Sequence, residues 1–66
     1  MDLSKSIRLA MAENNTTNKE LAEAIGVKTQ HISAWRKSGG ISYKNQIKIA
    51  DFFGIKVSEF VALGES

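Results

Sequence analysis

Apolar residues recur along this chain at helical spacing, in short blocks punctuated by glycine. Leu3, Ile7, Ala10 and Met11 lie three or four positions apart, which predicts an amphipathic helix over residues 3–13. Asn14-Asn15-Thr16-Thr17 interrupts it with side chains that bond their own backbone. Thr17 followed by Glu20 fits a capping box, so a second helix starts near Asn18 and buries Leu21, Ala22 and Ile25. Gly26 ends it at a left-handed position. Only Val27 and Lys28 precede a third helix over residues 29–37, which buries Ile32 and Trp35. Ser38-Gly39-Gly40-Ile41 reads as a loop. Ser42 is the N-cap of a fourth helix with Ile49, Ala50 and Phe53 inward and Gly54 at its close. Ile55 and Val57 then cross the core, and Ser58 caps a last short helix carrying Phe60 and Val61. The densest apolar stretch, residues 47–55, keeps helical spacing, so no strand is predicted. The expected class is all-α, five short helices with tight connections.

Length and composition narrow the setting. Sixty-six residues make one domain, 1–66, with no room for a second. A chain this short buries only about 60% of the surface its unfolded form exposes. With no cysteine it has neither a disulfide framework nor a thiolate metal site. Stability must then come from efficient helical packing, with dimerisation as the other support. No apolar run approaches the roughly 18 residues of a membrane helix. Met1-Asp2-Leu3-Ser4-Lys5 lacks the basic start and apolar stretch of a signal peptide, so a cytoplasmic protein is expected.

The net charge of +2 hides a segregation. Residues 1–23 sum to −1 and residues 51–66 to −2. Residues 24–50 hold Lys28, Arg36, Lys37, Lys44 and Lys48 with no acid, a sum of +5. A mid-chain block of one sign suggests a surface that meets a polyanion. Solvated lysines scattered over several helices would give the same count, and charge alone does not separate the two.

Spacing does more. Two short helices joined by a tight glycine turn suggest a helix-turn-helix. Leu21 and Ile25 reach the core, and Ala22 is small where the helices cross. Gly26 supplies a positive φ, Val27 plugs the turn, and Ile32 and Trp35 anchor the second helix from beneath. Leu21-Ala22-Glu23-Ala24-Ile25-Gly26-Val27, then Gln30-His31-Ile32-Ser33-Ala34-Trp35, resembles the helix-turn-helix of Cro-like and lambda-repressor-like DNA-binding proteins. The tail Ile49-Ala50-Asp51-Phe52-Phe53-Gly54-Ile55-Lys56-Val57-Ser58-Glu59-Phe60 resembles the end of the same domain. The resemblance covers residues 3–64 and implies a compact five-helix lambda-repressor-like fold, its helix-turn-helix at about 18–37.

By that resemblance the partner is a double-stranded DNA operator, bound by a homodimer, with helix 29–37 in the major groove. Lys28, Thr29, Gln30, Ser33 and Ala34 are the implied base-contacting positions. Gln30 leads because its amide can bond adenine N6 and N7 together. Asn18, Arg36, Lys37, the Gly39 and Gly40 amides and Lys44 are the phosphate candidates. Taken singly, Thr29, Gln30 and Ser33 are ordinary exposed helix residues; the complete frame is what lends them a role. The implied function is a small Cro-like transcriptional regulator, a phage or bacterial repressor with no effector or cleavage domain. An antitoxin-type accessory DNA binder of the same fold is one alternative. A helical protein-interaction module without DNA binding is another.

The chain departs from the family pattern in places. Lys28 stands where relatives carry a Ser or Thr cap, and lysine cannot accept N–H bonds, so Thr29 is expected to cap and the helix to start one residue later. Met11 and Arg36 stand where many relatives hold an ion pair, leaving an apolar contact and a cation available for phosphate or Glu13. Trp35 is expected in the core rather than as a stacking platform. His31 has no Cys or His partner, and no carboxylate stands at catalytic spacing. No metal, cofactor, small-molecule ligand or enzymatic activity is therefore expected. Ile41, Phe52 and Leu63 form a candidate apolar patch for a dimer, unless the monomer core absorbs them.

Overall fold

The computed structural model describes residues 2–65. Five helices follow in order: α1 Leu3–Glu13, α2 Asn18–Ile25, α3 Thr29–Ser38, α4 Tyr43–Phe53 and α5 Val57–Leu63. Each begins where a side chain or an extended residue meets the free N–H groups of a first turn. Asp2 accepts from Lys5 N–H at α1, and Ser42 accepts from Asn45 N–H at α4. At α2 the full capping box forms: Thr17 Oγ1 accepts from Glu20 N–H at 3.1 Å, and Glu20 Oε1 accepts from Thr17 N–H at 2.9 Å.

The helices close into a ring of contacts. α1 packs on α3 and α5, α2 packs on α3 and α4, and α4 packs on α5. The order around the ring is therefore α1, α3, α2, α4, α5. Each helix sends one fully buried large apolar side chain into the core: Ile7, Leu21, Ile32, Ile49 and Phe60. Ala10, Ala22 and Ala50 keep the helices close, while Met11, Ile25, Trp35 and Ile41 fill the space around them. Phe53, Ile55 and Val57 are half-buried against this core. Ser6, buried in α1, bonds the Val61 carbonyl and so ties the first helix to the last. None of the described helices is long and apolar enough to cross a membrane.

Three expectations about helix ends change. Helix α3 runs to Ser38, whose Oγ donates to the Ala34 carbonyl, one residue past the expected end. Thr29 does not cap α3. Lys28 is the N-cap through its extended backbone alone, and its carbonyl accepts from His31 N–H at 3.0 Å. Ser58 does not cap α5; it lies inside the first turn, and Lys56 is the extended residue before the helix. The Glu59 carboxylate reaches back to Lys56 N–H at 2.9 Å, which satisfies the helix start without a hydroxyl cap.

Ile41 belongs to the core, only 5% exposed, and is not part of a surface patch. Its carbonyl accepts from Gln46 Nε2 and its N–H donates to the Gly39 carbonyl, so the α3–α4 loop folds inward. The loop passes close over α1. Gly39 has φ +71°, and a Cβ there would stand 2.7 Å from the Ser4 backbone nitrogen. The total accessible surface, 4058 Å², matches the roughly 4,100 Å² expected of a compact folded chain of this mass, so the monomer core is complete.

Candidate nucleic-acid interface

The turn between α2 and α3 is built on Gly26, at φ +76°, a backbone conformation that costs other residues about 1–2 kcal/mol. Gly26 N–H and Val27 N–H both donate to the Ala22 carbonyl, at 2.9 and 3.0 Å, closing the end of α2. Val27 folds back half-buried against the core. Ile32 and Trp35 then pin one side of α3, and every other residue of that helix is exposed.

At about 100° per residue, Gln30 and Lys37 point most directly away from the Ile32–Trp35 side. Thr29, Ser33 and Arg36 lie on the flank toward α2, and Ala34 lies on the other. Lys28 is exposed at the entry to α3. His31, also exposed, stacks on Trp35 with ring centroids 6.3 Å apart. Among the described residues no three His, Cys, Asp or Glu side chains gather as metal ligands would.

Three residues named independently for DNA contact are joined. Arg36 Nη1 donates to Asn18 Oδ1 at 2.8 Å, and Asn18 Nδ2 donates to Ser33 Oγ at 3.2 Å. The chain thus runs from the start of α2 across to the outer flank of α3. Arg36 is therefore not a loose cation, and it reaches Asn18 rather than Glu13. Met11, in the place of the family's first-helix cation, is buried in the core, 3% exposed. With no acid at 36 and no base at 11, Arg36 has nothing to hold it inward, and the neighbouring amide of Asn18 takes it instead.

Other candidates fare differently. Lys37, Gly40 and Lys44 are exposed, Lys44 in the first turn of α4. The Gly39 amide, however, donates to the Trp35 carbonyl at 2.9 Å as it caps α3, so it is not free for a phosphate. It also sits at a helix C-terminus, where the carbonyl dipoles favour cations such as the nearby Arg36 and Lys37.

Ile41, Phe52 and Leu63 do not form one surface. Phe52 is 42% exposed, meets Phe53 edge-on at 5.0 Å and borders a cleft with Ala24 and Ile25. Leu63 is half-buried and lines a different cleft with Phe53, Ile55 and the end of α1. Among the described residues, the large apolar side chains left exposed besides Phe52 are Tyr43 and Ile47, four apart on α4.

Two basic or aromatic candidates escaped the sequence. Lys19 is exposed beside Asn18 in the first turn of α2. It lies in the acidic N-terminal segment, where a charge sum by segment conceals it. Tyr43, 65% exposed, adjoins Lys44; its place directly after the Ser42 cap was the available signal.

The site has one perturbed acid. Glu20 is held below the ordinary carboxylate value by the backbone N–H of Thr17, with a further contribution from the Thr17 hydroxyl. A stable negative charge at the start of α2 complements the helix dipole there.

A family model described as Helix-turn-helix matches residues 7–60, a span that takes in most of α1, all of α2, the turn, α3 and α4, and the first half of α5. No curated protein and no solved structure matches the chain.

Proposed function

The chain belongs to the helix-turn-helix family of DNA-binding transcription regulators, that of the Cro-like and lambda-repressor-like proteins, and from this premise we propose that it is a sequence-specific repressor. It reads double-stranded DNA by laying α3 in the major groove. The observation that carries this reading is the outer face of α3. A helix pinned by Ile32 and Trp35 turns Gln30 and Lys37 outward, with Ser33 and Thr29 on the adjoining flank, in a segment of five cations and no acid. Gln30, Ser33, Thr29, Lys28 and Ala34 face base edges. Arg36, Lys37, Lys44 and the Gly40 amide, with Lys19 added, face phosphates.

The protein acts as a homodimer on DNA, because one recognition helix covers too few base pairs and two half-sites one helical turn apart restore specificity. The second copy meets α4 at Tyr43 and Ile47. These lie near the α4 end that carries Lys44, whereas Phe52 meets Phe53 edge-on within its own chain.

Selection of bound sequences from a random DNA pool tests the reading. A paired, roughly two-fold symmetric site is the expected product. Binding to it should weaken with salt at a log–log slope of about −5 to −9, as for 6–10 phosphate contacts. A protein that retains no duplex even at low salt is instead an interaction module.

A further inference from the structure

We propose that Asn18 is a positioning residue that sets Ser33 as a hydrogen-bond donor toward the bases, so that the base pair beneath Ser33 is chosen for an acceptor group. The inference rests on the reading of α3 as a DNA-recognition helix and adds a rule of specificity to it.

A guanidinium only donates, so the atom of the Asn18 amide that faces Arg36 Nη1 at 2.8 Å must be the oxygen. That fixes the amide's orientation and turns its NH₂ toward Ser33 Oγ at 3.2 Å. An NH₂ group only donates, so Ser33 Oγ accepts there. The hydroxyl hydrogen of Ser33 is left to point elsewhere. In this helix Ser38 spends its own hydrogen on the carbonyl four residues back, and Ser33 makes no such bond. Ser33 is exposed on the flank of α3 that adjoins its outward face. With one of its two lone pairs taken, the hydroxyl at 33 is biased toward donating outward, and the cation at 36 sets that bias through one amide.

In the major groove a hydroxyl normally serves as donor or acceptor and discriminates little. A hydroxyl biased toward donating prefers guanine O6 over the adenine N6 amine, or thymine O4 over the cytosine N4 amine. The Asn18→Asp change inverts the bias. A carboxylate still accepts from Arg36, but now also accepts from Ser33, which must then present lone pairs to the DNA.

The test compares sites selected from a random duplex pool by the parent, Ser33→Ala and Asn18→Asp proteins, with far-UV circular dichroism to confirm that all three are helical. Ser33→Ala should relax preference at one base pair of each half-site by about three- to tenfold, the span of one neutral hydrogen bond. That pair identifies the position. There the parent should choose guanine or thymine, and Asn18→Asp should abolish the choice or reverse it to adenine or cytosine, with the remaining positions unchanged. An Asn18→Asp protein that keeps the parent's base at that position overturns the inference. So does a Ser33→Ala loss spread evenly over all sequences, which would make Ser33 a phosphate contact. If the parent enriches no sequence at all, the DNA reading itself fails, and the inference with it.

Discussion

Gln30 is placed by its neighbours more than by its own chemistry. Ile32 and Trp35 bind one side of α3 so firmly that the opposite side has to carry Gln30 and Lys37. Gln30→Ala should cost about 1–3 kcal/mol on the selected site and relax preference at a single base pair. Competition binding with single-base operator variants measures this; an equal loss on every sequence would make Gln30 a positioning contact. At the same scale, the roles of Asn18 and Arg36 were only half legible. Residue type marked both as polar and near DNA, but their bond spans eighteen positions of sequence, and no local pattern reports a contact of that range. The Gly39 amide shows the reverse error: its residue type suited phosphate, yet the end of α3 had already taken its N–H.

The helices as elements depend on their ends, because each is too short to be stable alone. At α2 the box formed by Thr17 and Glu20 carries a pH dependence. The folded state holds Glu20 below its ordinary value of 4.5, and Asp2 is held below 3.8, first by the Ser4 hydroxyl and then by Lys5 N–H. Groups lowered on folding stabilise fully above their unfolded values and lose that contribution as pH falls through the folded ones. Thermal stability should therefore be flat near neutrality and fall on acidification from about pH 5. Glu20→Gln should make that acid limb shallower in melting curves followed by circular dichroism; an unchanged limb would mean that the box does not form in solution.

Two glycines separate the cost of backbone conformation from the cost of space. Gly26 and Gly39 share a positive φ, but a Cβ at Gly26 meets nothing within 4 Å, whereas one at Gly39 meets the Ser4 nitrogen at 2.7 Å. Gly26→Ala should lose about 1–2 kcal/mol. Gly39→Ala should lose clearly more, since α1 or the loop must move aside. Urea unfolding of the two variants compares them, and equal losses would contradict the close approach of loop and helix.

For the whole molecule, the question is association. A standard interface takes about 800 Å² from each partner, about one-fifth of the 4058 Å² available here. Tyr43 and Ile47 are too small a patch to form such an interface alone, and Ile41 is spent in the core. The protein should thus sediment as a monomer at micromolar concentration and pair on a two-half-site operator. Ile47→Lys should leave the fold intact and weaken binding to the paired site far more than to a half-site. Phe52→Lys should have the smaller effect on that ratio. Paired-site binding indifferent to Ile47→Lys would remove α4 from the interface.

What the sequence determined by itself is local. Apolar spacing, the Thr17–Glu20 and Ser42 caps and the glycines located all five helices, with α3 short by one residue and α5 begun two residues late, because these signals act within a turn or two of chain. The family motif is likewise a run of short-range demands, and it identified α3 and its outer face. Tertiary structure decided the rest. It closed the helices into a ring that absorbs Ile41, leaves Tyr43 and Ile47 outside and separates Phe52 from Leu63. It also tied Arg36 and Ser33 to Asn18. Which side chain fills a core or completes a hydrogen bond depends on partners brought from distant positions, and burial and bonding are settled only when those partners meet.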